Sequence, residues 1–196
     1  MSEKTGIAWT DHTFNPWWGC TKVSPACANC YAETWDARFN GGHWGSEAPR
    51  RFFGDKHWAA PLKWNMDAVE AGERRRVFCA SMADIFEQRE DLVDERFRWI
   101  RMVHNTPGLD WLALTKRIKN VEDSVPPDWR HSWPANVWLG CTVEDQERAN
   151  ERVPALKILK EAFSIPVTFI SAEPMFEPIT LPWVPDWVIA GGESGA

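Results

Sequence analysis

The chain has 196 residues, 44% of them hydrophobic and 26% charged, with a net charge of −6 and a pI near 5.4. That length buries one sizeable core, and the apolar content excludes a disordered chain. The negative charge argues against a protein that lives on non-specific phosphate contacts, and no run approaches the roughly 20 apolar residues of a membrane span.

The N-terminus, Met1-Ser2-Glu3-Lys4-Thr5-Gly6, lacks the apolar core of a signal peptide, so a cytosolic protein is expected. Six short apolar runs then recur: Ile7–Phe14, Val77–Ser81, Leu109–Thr115, Val137–Thr142, Val167–Ser171 and Trp187–Gly191. Each is rich in β-branched, aromatic or leucine residues and closes on small or polar ones. This is the pattern of strands buried on both faces of a parallel sheet. Helical patterns lie between them. Ala28–Phe39 is one, and Leu92–His104 carries Leu92, Val93, Phe97, Ile100 and Val103 at helical spacing. Glu144–Lys160 carries Val153, Leu156 and Leu159, and Pro154 is expected to break it into two pieces. Alternating strands and helices define an α/β chain, read as one domain over 1–196. Six strands predict a partial (βα)6 TIM-like barrel. The chain stops at Ala196, where a sixth helix would begin, so a barrel lacking its last helix is expected.

In barrels of this kind the chemistry gathers on the loops after the strands. Charged residues fall there: Asp84 and Glu87 beyond Ser81, Lys116 and Arg117 after Thr115, Glu144 after Thr142, Glu173 after Ser171, and Glu193 after Gly191-Gly192. Their recurrence at one topological position predicts a site. Arg50-Arg51 and Arg74-Arg75-Arg76 read as solvated turns able to steer an anion. The 14 Trp against one Tyr are expected to line a groove or cap a core, because a buried indole N–H needs a partner. Trp35, Trp44, Trp58 and Trp64 form a segment able to stack nucleic-acid bases.

Cys20, Cys27 and Cys30 stand in a C-x6-C-x2-C spacing within a loop of about residues 15–31. In a reducing cytosol three crowded thiols point to a metal rather than to disulfides. Three thiolates satisfy three irons of a [4Fe–4S] cubane and leave the fourth iron open for a ligand. The alternatives are a structural Cys3His zinc site completed by His12 or His43, and free core cysteines. Cys79 and Cys141 sit within strands and read as small core hydrophobes.

The segment from Thr5 to Cys20, the cysteine spacing, Phe86-Glu87, Leu114-Thr-Lys-Arg117, Ser171-Ala-Glu-Pro174 and Gly191-Gly-Glu-Ser-Gly195 together resemble the phage three-cysteine-motif protein family. That family is similar to radical S-adenosylmethionine (SAM) enzymes. The resemblance implies a barrel of the radical SAM type, with Cys20, Cys27 and Cys30 holding the cluster. Ser81, Asp84 and Glu87 would receive the SAM amino group, and Lys116 or Arg117 its carboxylate. Thr142 and Glu144 would meet the ribose hydroxyls, and Glu173 and Glu193 would face the substrate or the SAM ammonium. The partners implied are SAM and a one-electron donor; the substrate is not written in the sequence, and the phage setting points towards a nucleic acid; the location implied is the host cytoplasm. The competing reading is a metal-stapled module, holding Fe–S or zinc, that docks on a phage or host protein without catalysis.

Overall fold

The computed structural model describes residues 5–39 and 41–192. Eight strands occur in chain order: β1 (His12–Thr13), β2 (Trp17–Trp18), β3 (Arg51–Phe52), β4 (Arg75–Cys79), β5 (Leu109–Thr115), β6 (Val137–Thr142), β7 (Thr168–Ala172) and β8 (Trp187–Ala190). Six of them form one parallel sheet in the order β1-β4-β5-β6-β7-β8, while β2 and β3 make a separate antiparallel ribbon. Within the large sheet every strand therefore lies beside its neighbour in sequence order, and the chain winds in one direction.

The helices are α1 (Tyr31–Ala37), α2 (Asp55–Trp58), α3 (Ala60–Ala71), α4 (Val93–Asn105), α5 (Val121–Ser124) and α6 (Gln146–Phe163). They fall in the crossovers, so the α/β reading and the parallel sheet hold. No helix among the described residues is long and apolar enough to cross a membrane.

Period-two alternation sorts the strand residues onto two faces. Val77, Trp111, Ala113, Val137, Leu139, Cys141 and Ile170 belong to the large core on the helix side. Leu112, Phe169 and Ile189, with Trp9, Leu114, Trp138 and Trp187, form a second cluster on the other face. That second face is concave. Arg76 on β4 lies 5.8 Å from the ring of Trp187 on β8, although three strands separate them in the sheet. Trp9 closes the same gap, packing 4.8 Å from Phe78 and 6.2 Å from Trp187. The sheet is thus curled into half a barrel. Gly140 is required inside it, since a Cβ there would sit 2.4 Å from the Phe169 ring.

Several sequence expectations need correction. The first strand is His12–Thr13 rather than Ile7–Phe14, because residues 7–10 turn, with Thr10 N–H donating to Ile7 O, to bring Trp9 onto the concave face. Pro154 does not divide α6. Its neighbours Ala149, Val153, Leu156, Leu159 and Phe163 are all buried, and that stripe holds the helix through the missing hydrogen bond. The helix begins after Asp145, whose carboxylate accepts from Arg148 N–H, so Glu144 lies outside it. Arg75 and Arg76 belong to β4 rather than to a turn, and Arg74 pairs with Asp110. Trp58 and Trp64 are buried in the large core and offer no stacking surface. Much of the Trp content follows the same course: Trp99, Trp111, Trp129 and Trp133 pack there edge to face or tilted, at centroid spacings from 5.0 to 6.3 Å.

Candidate metal and cofactor site

The concave face opens, at the C-terminal ends of the strands, into a cavity of about 430 Å³. That volume lies within the roughly 300–1,000 Å³ of small-molecule and cofactor sites. Cys20, Cys27 and Cys30 all line it. Facing them are Ser81, Lys116, Thr142 and Glu173, delivered by the ends of β4, β5, β6 and β7. The position of the cavity is where the barrel rule places chemistry.

Local chemistry builds the cysteine loop. Asn15 clamps its start to the end of β4, donating to Ser81 Oγ at 3.1 Å and accepting from Met82 N–H at 2.7 Å. Gly19 follows with φ +112°, and a Cβ there would lie 2.2 Å from His43 O, so only glycine fits. Pro25 starts a single 3₁₀ turn ending at Cys27, and Cys30 then caps α1. Behind the loop, Thr21 N–H donates to Glu87 Oε1 at 3.1 Å, and Arg117 Nη2 donates to Thr21 O at 2.6 Å.

The electrostatics separate the thiols. Burial, helped by Asp84 and Glu87, pushes Cys20 up to about 12 against the pull of Arg117. For Cys27 burial also acts upward. The hydrogen bonds at Val23 and Ser24 and the charge of Lys116 outweigh it and leave the thiol below its ordinary value. Cys27 is therefore a readier thiolate than Cys20.

The rim residues divide into those that face the cavity and those that build it. Lys116 and Glu173 face it, and among the described residues the only hydrogen bond recorded to the Glu173 carboxylate is from the Ser171 hydroxyl at 3.2 Å. Asp84 and Arg117 also line it but are tied to each other at 2.9 Å. Glu87 is turned behind the loop and pairs with buried Arg50. Glu144, expected at the ribose, is fully buried against Arg152 at 2.9 Å and does not line the cavity. Glu193 lies outside the described residues. Neither alternative zinc ligand faces the cavity: His12 stacks on Trp64 at 4.4 Å, and His43 holds Asp36 at 2.7 Å. Cys79 and Cys141 are buried in the core, as expected.

Sequence reasoning missed Arg50, Asn15 and Tyr31. In place of the solvated turn expected there, Arg50 is buried and donates to three backbone oxygens, those of His43, Gly45 and Ala48. Tyr31 lines the cavity and donates to Ser81 O at 2.9 Å. The one available signal for it was its place directly after Cys30.

A curled parallel half-barrel with three cysteines at its C-terminal mouth defines an α/β protein with a cofactor-sized cavity. The chain belongs to the family described as protein of unknown function (DUF5131), whose model matches residues 4–196. No curated protein and no solved structure matches it.

Proposed function

We propose that this chain is an iron–sulfur enzyme of the radical SAM type, in which Cys20, Cys27 and Cys30 hold a [4Fe–4S] cluster. The observation that carries the reading is the meeting of all three thiols on one cavity at the strands' C-terminal ends. The donor set fits: three thiols, and no carboxylate or imidazole among the cavity groups beside them except Asp84, which is occupied, and Glu173. Among the described residues no three His, Cys, Asp or Glu converge closely enough to hold a single metal ion.

Besides Lys22, which pairs with Glu33, and the Arg117–Asp84 pair, the same cavity carries Lys116 and Glu173, a cation and an anion suited to a charged amino acid. Lys116 supplies an ammonium for a carboxylate, and Glu173 a carboxylate for an ammonium or sulfonium. Thr142, Ser171 and Ser81 add hydroxyls, while Trp9, Phe78 and Leu114 give an apolar floor. Held by Cys20, Cys27 and Cys30, a cluster would supply the single electron for reductive cleavage of SAM. The protein's part is to fix SAM between Lys116 and Glu173 and to keep water away.

The test is anaerobic purification or reconstitution. The protein should be brown, hold about four irons per chain, change its electron paramagnetic resonance signal when SAM is added, and form 5′-deoxyadenosine with dithionite. Colourless protein with one zinc per chain would end the reading.

A second reading, a module that docks without chemistry, draws on exposed aromatics on and just beyond α1. Trp35 and Phe39 are 46% and 51% exposed, and Arg38 lies 5.8 Å over the Trp35 ring. Such a face suits a base or a protein partner. An iron-loaded protein that ignores SAM and makes no 5′-deoxyadenosine would favour it.

A further inference from the structure

The resemblance places Lys116 or Arg117 at the SAM carboxylate, but the Arg117 guanidinium is already engaged. Nη1 donates to Asp84 Oδ2 at 2.9 Å and to Cys20 Sγ at 3.4 Å, and Nη2 donates to Thr21 O at 2.6 Å. Glu87 Oε1 stands 3.6 Å away. Asp84 is equally committed. Its oxygens accept from the Thr115 hydroxyl at 2.7 and 2.9 Å, from Phe86 N–H at 3.0 Å and from Lys116 N–H at 3.1 Å. The pair thus spends its hydrogen bonds on the protein and on one sulfur, and its side chains are 9% and 7% exposed.

We propose that Arg117 is a positioning residue that sets the reduction potential of the cluster through Cys20, with Asp84 damping its charge. The inference rests on the reading that Cys20 is a cluster ligand. A donor on a ligating sulfur, and a fixed cation beside it, favour the state with the extra electron. A carboxylate opposes that state. Because both groups are shielded from water, their charges are weakly screened at the sulfur. Removing the arginine therefore makes reduction harder, and removing the aspartate charge makes it easier. A group that merely braced the loop would not move the potential in opposite senses.

The experiment is a potentiometric titration of anaerobically loaded holoprotein, followed by visible absorbance. Dithionite supplies one electron per cluster, and no protein bond is made or broken. Arg117→Gln should lower the equilibrium constant for reduction about tenfold, a midpoint about 59 mV more negative for one electron. Arg117→Lys, which keeps the charge and loses the fork, should fall between it and the parent. Asp84→Asn should move the midpoint positive. Full iron with unmoved midpoints in all three variants would overturn the proposal and leave the cluster reading standing. Parent protein that takes up no iron would end the cluster reading itself. If Arg117→Gln cannot hold iron, Asp84→Asn decides alone, and a midpoint unmoved or shifted negative overturns the proposal.

Discussion

Arg50 and Glu87, 37 residues apart in sequence, form a buried two-point ion pair, Nε to Oε2 at 3.2 Å and Nη2 to Oε1 at 2.8 Å. The pair joins the segment before β3 to the loop after β4, and Arg50 Nη2 also reaches the Thr21 hydroxyl at 3.0 Å. The cysteine loop therefore hangs on it. Arg50→Met leaves buried Glu87 with Arg117, 3.6 Å away, as its remaining counter-charge, which should cost about 3 kcal/mol, the lower end for a broken buried pair. Urea unfolding measures this. A loss below about 1 kcal/mol, the scale of an exposed pair, would contradict the structural role.

The five cysteines should separate cleanly in iron content. Alanine at Cys20, Cys27 or Cys30 should abolish the brown colour and the bound iron. Serine at Cys79 or Cys141 should leave iron unchanged while lowering stability by about 1–3 kcal/mol, because each places a hydroxyl in an apolar core. Iron assay with parallel thermal unfolding distinguishes the two classes. Iron loss from Cys141→Ser would show that the ligand set is wrong.

Lys116 should matter to ligand binding more than to folding, since its side chain lines the cavity and its charge acts there on Cys27. Lys116→Met should weaken SAM about ten- to hundred-fold, the worth of a charged hydrogen bond of roughly 1.5–3 kcal/mol. Calorimetric titration of the iron-loaded protein reads this directly. Unchanged affinity would remove Lys116 from the carboxylate site.

Asp186 gives the fold a measurable acid limb. It accepts from Thr168 N–H at 2.7 Å, from the Thr168 hydroxyl at 2.8 Å and from Lys160 Nζ at 2.5 Å, joining the end of α6 to the start of β7. Burial acts upward on its carboxyl, but these bonds outweigh it and hold the group below its ordinary value. A depressed carboxyl contributes stability that is fully present above the unfolded value, about 3.9, and is lost as pH falls through the folded one. The loss should therefore appear below about pH 4 and be small, because the side chain is 42% exposed. Asp186→Asn should flatten that limb of a stability–pH curve. An unaltered slope would mean the contacts contribute nothing.

How much could be read beforehand depended on whether the governing contacts were local. β5 and β6 have the bounds their apolar runs suggest, because strands buried on both faces write continuous hydrophobic segments. The helix α3 is absent from the sequence reading, although Pro61 stands near its start and Gly72 at its left-handed end. The three cysteines were visible from spacing alone. The rim was harder. Strand alternation aims Lys116 and Glu173 inward, whereas the chain has already turned at Glu144, which answers to Arg152 instead. Arg50 could not be recognised at all, since its partner lies on another element and nothing in the spacing records it.

The aromatic packing inside the half-barrel has a kinetic consequence. Trp9, Trp138, Phe169 and Trp187 plug the end of the concave face away from the cysteines. A chamber stoppered at its base fills and empties through its mouth. Whatever lies deepest must arrive first and depart last, so two ligands sharing this chamber would follow a compulsory order of addition. Product inhibition would then be competitive only towards the ligand that enters first.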